Sequence, residues 1–125
     1  MRVYHGTTPK QAQAFVASGI DGHLLHPRAI HGPQDLVPGL FVTPVLAVAR
    51  RFGLCVIEIE VQEVDLAVPP ILAELGVTLQ ASLANSLEPQ ALLAKRVEPH
   101  SLKVVECHEN GYSFNPYDEN EIPLG

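Results

Sequence analysis

The residues best suited to chemistry stand near the start of the chain, where positions 3–8 read VYHGTT. The β-branched and aromatic residues of this run predict a short strand that ends at His5. Gly6 follows without a side chain, so a ligand can come close to the backbone there. Two interpretations of His5 stay open: it presents an imidazole to a binding site, or it ends a surface strand. In both, its side chain is expected to lie outside the core.

Two phenylalanines, Phe41 and Phe52, stand eleven residues apart in the segment after the long connection. Phe41 stands in a strand pattern over 39–43 (GLFVT), and Phe52 ends the helical pattern that follows. Isolated phenylalanines are most often ordinary core residues, and that interpretation stays open for both.

A long connection over 21–38 holds three histidines, His23, His26 and His31. Connections of this length inside a compact domain are usually functional loops. A metal site is not expected, since neither a cysteine nor a helical pair of ligands accompanies the histidines. Arg28 is the more useful residue here, as a candidate for binding a phosphate or a carboxylate.

Capping signals predict the first element that positions these residues. Thr8, Pro9 and Gln11 together predict a helix start, because the Thr-x-x-Gln spacing is that of a capping box. Gly19 supplies the end of the same helix. The first helix is therefore predicted over 9–18.

A second Thr-Pro pair begins at Thr43 and predicts another helix, which ends at Gly53. The clearest strand follows over 54–61, where apolar residues alternate along the chain. Glu58 and Glu60 fall on the opposite, solvated face of this strand. They are therefore interpreted as surface residues rather than as a catalytic pair.

The rest of the chain has a weaker pattern. It contains, in order, a short helix up to Gly76, a segment over 77–83 that fits helix or strand, a polar turn over 86–90 entering a strand, a final strand over 102–107, and a polar, acidic tail. Several short strands with two capped helices predict an α+β fold, built as a split-sheet sandwich with a cleft between its sheets.

Composition limits the classes of function. With 125 residues, 46% of them hydrophobic, the chain can form one domain with a compact core. A formal net charge of −6 argues against a non-specific nucleic-acid binder but not against a small anionic ligand. Cys55 lies in an apolar run and is predicted to be a buried free thiol, which favours a reducing cytoplasm. The pattern predicts no signal peptide and no membrane span, so no membrane partner is expected.

The order of these parts resembles the ADP-ribosyltransferase fold, in the branch with a His-Tyr-Glu signature. That branch includes diphtheria-like toxins, the poly(ADP-ribose) polymerases and many small bacterial transferases. The resemblance rests on residues 4–7 (YHGT) and 39–44 (GLFVTP), in that order and separation. It implies an ADP-ribosyltransferase-like domain over 1–106 with a polar C-terminal tail over 107–125. It also implies NAD as a substrate in the cleft, and no metal.

Residue by residue, the resemblance implies that His5 bonds the adenosine-side ribose of NAD. It implies that Gly6 grips the nicotinamide amide through its backbone. Phe41 and Phe52 take the places of two signature tyrosines, which the family keeps at the same interval, and their rings would clamp the flat, cationic nicotinamide. The set of residues expected to contact NAD is completed by Thr7, Arg28 and Thr43.

The third signature residue is where this chain departs from the family. There a glutamate usually opens the late strand and hydrogen-bonds the 2′-OH of the nicotinamide ribose. Here Gln90 directly precedes the apolar run, and Glu88 lies two residues earlier. Either Glu88 is the catalytic carboxylate, displaced by a bulge at Pro89, or Gln90 completes the triad with His5 and Phe41. An amide would stabilise the developing positive charge less well than a carboxylate.

The expected function is therefore an NAD-dependent mono-ADP-ribosyltransferase of a bacterial cytoplasm, a toxin or modifying enzyme with an unknown acceptor. A toxin of this kind would need an antitoxin or immunity protein as its partner. Two alternatives stay open: a non-catalytic NAD-binding or interaction module of the same fold, and an RNA 2′-phosphotransferase. The latter would need basic residues for RNA phosphates, whereas the chain has 8 Lys+Arg against 14 Asp+Glu.

Overall fold

The structure is a computed structural model, and it describes residues 1–24, 39–87 and 89–108. Its strands are β1 (Arg2–Thr7), β2 (Ile20–Asp21), β3 (Leu40–Val42), β4 (Cys55–Glu60), β5 (Leu66–Ala67), β6 (Ala91–Leu93), β7 (Arg96–Val97) and β8 (Leu102–Cys107). Its α-helices are α1 (Pro9–Ser18), α2 (Leu46–Ala49), α3 (Pro70–Glu74) and α4 (Leu79–Leu83). This mixture of short strands and short helices is an α+β fold, as predicted.

Helix α1 forms where the capping signals predict it. The Thr8 hydroxyl accepts a hydrogen bond from the Gln11 N–H at 3.2 Å. Gly19 ends the helix with a φ of 84°, a conformation that an L side chain rarely adopts. Ala12 and Phe15 lie on the buried face of the helix and join the hydrophobic core.

Two three-stranded antiparallel sheets organise the described residues, and β2 pairs with β7 in a short ribbon. The first sheet has the order β1-β4-β8, and the second has the order β3-β6-β5. Both sheets contribute side chains to one hydrophobic core. The first sheet supplies Val3, Cys55, Ile57 and Ile59, and the second supplies Leu40, Val42, Leu66, Ala91 and Leu93.

Strand β4 shows the predicted alternation with one difference. Cys55, Ile57 and Ile59 are buried as expected, and Glu60 is exposed. Val56 lies on the opposite face and is nevertheless only 1% exposed. Strand β1 lies beside β4 and pairs with it, and helix α2 packs against β1. The helix therefore shields the part of the sheet around Val56 from solvent. The predicted solvated face is therefore open to solvent only towards the end of the strand.

The segment over 77–83 contains a helix, because the Thr78 hydroxyl caps α4 by accepting from the Ala81 N–H at 3.2 Å. The predicted second helix is divided: α2 ends at Ala49, and a 3-10 turn, Arg50–Phe52, continues it. The two-residue strands β2, β5 and β7 were not predicted. No helix in the described part of the chain is long and apolar enough to cross a membrane.

A disulfide bond joins Cys55 to Cys107, so the predicted free thiol at Cys55 is wrong. The register of the first sheet explains the pairing, since β4 and β8 set these two residues directly opposite each other. The His108 N–H donates to the Leu54 carbonyl at 2.9 Å and continues the ladder beyond the disulfide. The inference of a reducing cytoplasm rested on the free thiol and loses its basis, because disulfides persist mainly in oxidising compartments.

Gly53, directly after the 3-10 turn, is expected to tolerate no side chain. A Cβ atom there would lie 2.5 Å from the Thr7 nitrogen and 2.6 Å from its carbonyl carbon. Since these are backbone atoms of β1, Gly53→Ala should lower the free energy of unfolding by about 3 kcal/mol, measured by chemical denaturation. Gly76→Asn is the control, because nothing lies within 4 Å of a Cβ at Gly76 and only the backbone strain of its φ of 78° remains, which asparagine adopts more readily than other side chains. A Gly53→Ala variant as stable as this control would contradict the tight packing on Thr7.

Candidate functional site

The two sheets meet at a backbone bridge between β1 and the residue that follows β3. The Tyr4 N–H donates to the Thr43 carbonyl at 2.7 Å, and the Thr43 N–H donates to the Tyr4 carbonyl at 2.9 Å. Along an antiparallel strand, the backbone groups of every second residue point to the same side. The N–H and C=O of Gly6 therefore point, like those of Tyr4, towards β3 and away from β4. A molecule bound at this junction could reach backbone donors and acceptors of β1.

His5 is buried at the same junction, with 6% of its surface exposed. The expectation that it lies outside the core is therefore wrong: it shares the inward face of β1 with Val3. Its Nδ1 lies 2.8 Å from the carbonyl oxygen of Phe41, and since a carbonyl can only accept, Nδ1 carries the hydrogen. In the neutral ring, Nε2 is then the acceptor nitrogen. The Phe15 ring lies beside the imidazole, with the ring centroids 6.3 Å apart.

Gly6 has a packing role of its own. A Cβ atom there would collide with the carbonyl oxygen of Ala49 and would lie 3.2 Å from the Phe52 Cβ. The missing side chain thus allows the end of α2 and the 3-10 turn to pack directly on β1. This contact accounts for a glycine at the position, and it places Phe52 beside the His5-Gly6 segment.

Phe41 and Phe52 are both half-buried, and neither belongs to the hydrophobic core. Within β3, Leu40 and Val42 point into the core, which leaves Phe41 on the opposite face of the sheet. Leu92 of β6 pairs with Phe41 and shares that face. Both phenylalanines therefore keep a partly exposed surface on which a ligand could stack.

Gln90 lies immediately before β6 and is half-buried. Gln90 directly precedes Ala91, which pairs with Val42, the last residue of β3. Thr43 follows Val42 and is the residue that bonds Tyr4. The end of β3 is therefore bonded to β1 through Thr43 and paired with the start of β6, directly after Gln90, through Val42.

Two polar contacts hold the approach to Gln90. Ser82 of α4, which is 1% exposed, donates its hydroxyl to the Gln90 carbonyl at 2.6 Å. Arg51 of the 3-10 turn donates to the Leu87 carbonyl at 3.2 Å. Neither residue was singled out from the sequence. The pattern over 77–83 left helix and strand open, so it carried no signal that would place Ser82 against Gln90.

An ion pair connects the 3-10 turn to the end of β8. The Arg50 Nε lies 2.5 Å from one carboxylate oxygen of Glu106, and the His108 Nε2 lies 2.9 Å from the other. The hydrogen bond from Arg50, with a second from His108, holds the pKa of the Glu106 carboxyl below its ordinary value. Since Glu106 directly precedes Cys107, the ion pair and the disulfide together fix the end of β8.

Several predicted positions lie outside the described residues, namely Arg28, Glu88, His26, His31 and the tail after 108. The choice between Glu88 and Gln90 and the role of Arg28 therefore stay predictions. Thr7 ends β1 directly after Gly6 and is 1% exposed. Within the described ranges, no group of three or more His, Cys, Asp or Glu side chains could hold a metal ion.

Comparison with known proteins adds no family and no function to the site described above. The resemblance to ADP-ribosyltransferases therefore stays an expectation drawn from the order of motifs, while the α+β fold and the junction of β1 with β3 are structural observations. Compared with protein-family models, curated proteins and solved structures, the chain has no match.

Proposed function

We propose that the protein is an NAD-dependent mono-ADP-ribosyltransferase, which cleaves the nicotinamide–ribose bond of NAD and transfers ADP-ribose to an acceptor. The observation that carries the proposal is the 2.8 Å bond from His5 Nδ1 to the Phe41 carbonyl. The resemblance gives NAD-binding roles to these two residues, which are 36 positions apart in the chain. A shared NAD site requires them to be neighbours, and their contact supports the proposal independently of the sequence order.

The junction offers groups that match parts of NAD. The resemblance gives His5 a hydrogen bond to a ribose hydroxyl of NAD, and since Nδ1 donates to the Phe41 carbonyl, Nε2 is the nitrogen that would accept it. The N–H and C=O of Gly6, pointing towards β3, match the C=O and NH₂ of the nicotinamide carboxamide. Phe41 and Phe52 would stack on the nicotinamide ring, whose positive charge favours an aromatic face. Contacts to the remaining parts of NAD are assigned to Thr7, Arg28 and Thr43.

The proposed reaction needs positioning and electrostatic stabilisation rather than a protein nucleophile. The bond between the nicotinamide nitrogen and ribose C1′ breaks, and nicotinamide leaves with the electron pair. The acceptor's nucleophile forms the new bond to C1′ and loses its proton to solvent. Gln90 or Glu88 would bond the 2′-OH of that ribose while positive charge develops. Replacement of the carboxylate by the Gln90 amide would cost on the order of a few kcal/mol of transition-state stabilisation, so a slow enzyme is expected if Gln90 acts.

The acceptor is proposed only as a nucleophile on a protein, a nucleic acid or a small molecule. Transfer of a single ADP-ribose is proposed rather than chain extension, because a domain of this size offers little surface for an acceptor polymer. If the enzyme is a toxin, an antitoxin or immunity protein would be its partner.

The first experiment follows nicotinamide release from NAD by the purified protein, its Glu88→Ala and Gln90→Ala variants, and a control, Glu60→Gln. Glu60 is exposed on β4 at the register position of Arg2, away from the junction. Release that falls to a low but measurable rate in one of the two variants and is kept in the control would support the proposal and identify the third signature residue. Stabilisation by NAD against heat without release would favour a non-catalytic binding module. If the protein neither releases nicotinamide from NAD nor is stabilised by NAD against heat, the proposal is overturned.

A further inference from the structure

The C-terminal end of α4 holds the main chain of Gln90 at both of its polar groups. The Ser82 hydroxyl donates to the Gln90 carbonyl at 2.6 Å, and the Gln90 N–H donates to the Ser82 carbonyl at 3.3 Å. Ser82 is only 1% exposed, so water does not compete for these bonds. A single buried residue therefore fixes the backbone on both sides of the Gln90 Cα.

This use of a serine differs from what its place in a helix would predict. A helical serine hydroxyl commonly bonds a carbonyl one turn earlier in its own helix. Here the Ser82 N–H bonds the Thr78 carbonyl at 2.9 Å, as the helix requires, but the hydroxyl crosses to Gln90. The Ser82 carbonyl lies in the last turn of α4, and it accepts both from the Asn85 N–H at 3.4 Å and from the Gln90 N–H. The helix end thus supplies a donor and an acceptor to one residue outside it.

We propose that Ser82 is a positioning residue for Gln90, which it holds in place for contact with the 2′-OH of the nicotinamide ribose. The inference rests on the proposed function and deepens it, because it takes Gln90 rather than Glu88 as the residue that acts. With both main-chain groups held, and Ala91 paired to Val42 in the sheet, Gln90 can move only by changing its side-chain rotamer. A displacement of about 1 Å in a catalytic group can cost roughly 100-fold in rate. The two hydrogen bonds between Ser82 and the Gln90 main chain, here called the Ser82 clamp, are therefore expected to affect kcat more than the binding of NAD.

The test compares Ser82→Ala in two backgrounds, wild type and Gln90→Ala. In the wild type, we expect kcat for nicotinamide release to fall about 10- to 100-fold, with KM for NAD changed less than about threefold. In the Gln90→Ala background, Ser82→Ala should lower kcat no further, because the residue it positions is already gone. Ser86→Ala is the matched control, since Ser86 is exposed in the same approach to β6. A purely structural role for Ser82 would lower kcat by the same factor in both backgrounds, and that result would overturn the inference.

A second readout separates this inference from the proposed function. Ser82→Ala keeps the backbone bond from the Gln90 N–H to the residue-82 carbonyl but loses the hydroxyl bond that holds the two segments together. Amide hydrogen exchange at Gln90, measured by NMR, should therefore accelerate at least about tenfold, and it should stay unchanged in Ser86→Ala. Unchanged exchange together with unchanged kcat in Ser82→Ala would refute the Ser82 clamp while leaving the transferase proposal intact. Absence of nicotinamide release from the wild type would instead overturn the proposed function, and the positioning role of Ser82 with it.

Discussion

Replacement of His5 by asparagine is expected to lower NAD turnover by at least about 100-fold while the protein stays folded. The asparagine Nδ2 sits close to where the imidazole Nδ1 sits, so it can still donate to the Phe41 carbonyl, which His5 bonds at 2.8 Å. The variant has no counterpart of Nε2, the nitrogen proposed to accept a hydrogen bond from a ribose hydroxyl. Nicotinamide release measures the loss of NAD turnover, and the midpoint of chemical denaturation shows whether the variant stays folded.

Two further variants at this position control for the structural bond. His5→Ala removes the donor to the Phe41 carbonyl as well, so it should lose turnover and also about 1–3 kcal/mol of stability. His5→Gln reaches towards the position of Nε2 but not that of Nδ1, and it should likewise be less stable than His5→Asn. Full turnover in His5→Asn would remove Nε2 from the site, whatever the stability of the three variants.

Loss of the Cys55–Cys107 disulfide is expected to lower the free energy of unfolding by about 4 kcal/mol, the magnitude for a covalent loop of this length. The two cysteines are 52 residues apart, so the bond restricts much of the unfolded chain. Cys107→Ser is the variant to use, because Cys107 is exposed whereas Cys55 is fully buried and a hydroxyl there would add its own cost. The measurement is chemical denaturation with and without a dithiol reductant.

The reductant supplies the control for this experiment. A dithiol should lower the stability of the wild type to that of Cys107→Ser and should leave the variant unchanged. Alkylation followed by mass spectrometry counts the thiols in each sample. A non-reduced wild type with two alkylated cysteines would show that the bond is absent under those conditions, against the structure.

The elements with local signals were predicted closely from the sequence. Helix α1 begins and ends where Thr8 and Gly19 place it, because capping depends on residues within a few positions of each other. Strand β8 spans the predicted residues for a similar reason, since Pro99 lies three residues before its start and interrupts the preceding segment. The two-residue strands β5 and β7 had no such signal, because their pairing depends on partners far away in the chain.

The candidate site was predictable in its members but not in its contacts. His5 was expected outside the core because it ends a strand pattern, yet it takes the inward position two residues after Val3. That placement depends on which face of β1 meets the core, and only the assembled sheets decide this. The bonds from His5 to Phe41 and from Ser82 to Gln90 join elements whose relative placement no local pattern encodes. The disulfide likewise follows from the register of β4 and β8 rather than from the spacing of the cysteines.

The bridge between Tyr4 and Thr43 has a consequence for how cooperatively the domain unfolds. It consists of two backbone hydrogen bonds, and the bond from His5 to Phe41 lies beside it. The hydrogen bonds between the two sheets are therefore confined to a short seam, formed by Tyr4 and His5 on one side and Phe41 and Thr43 on the other, although the sheets share one core. A ligand that contacts both His5 and Phe41 would add its binding free energy to the seam itself. The sheets would then open together rather than one before the other, so that ligand binding would make the whole domain a more cooperative unit.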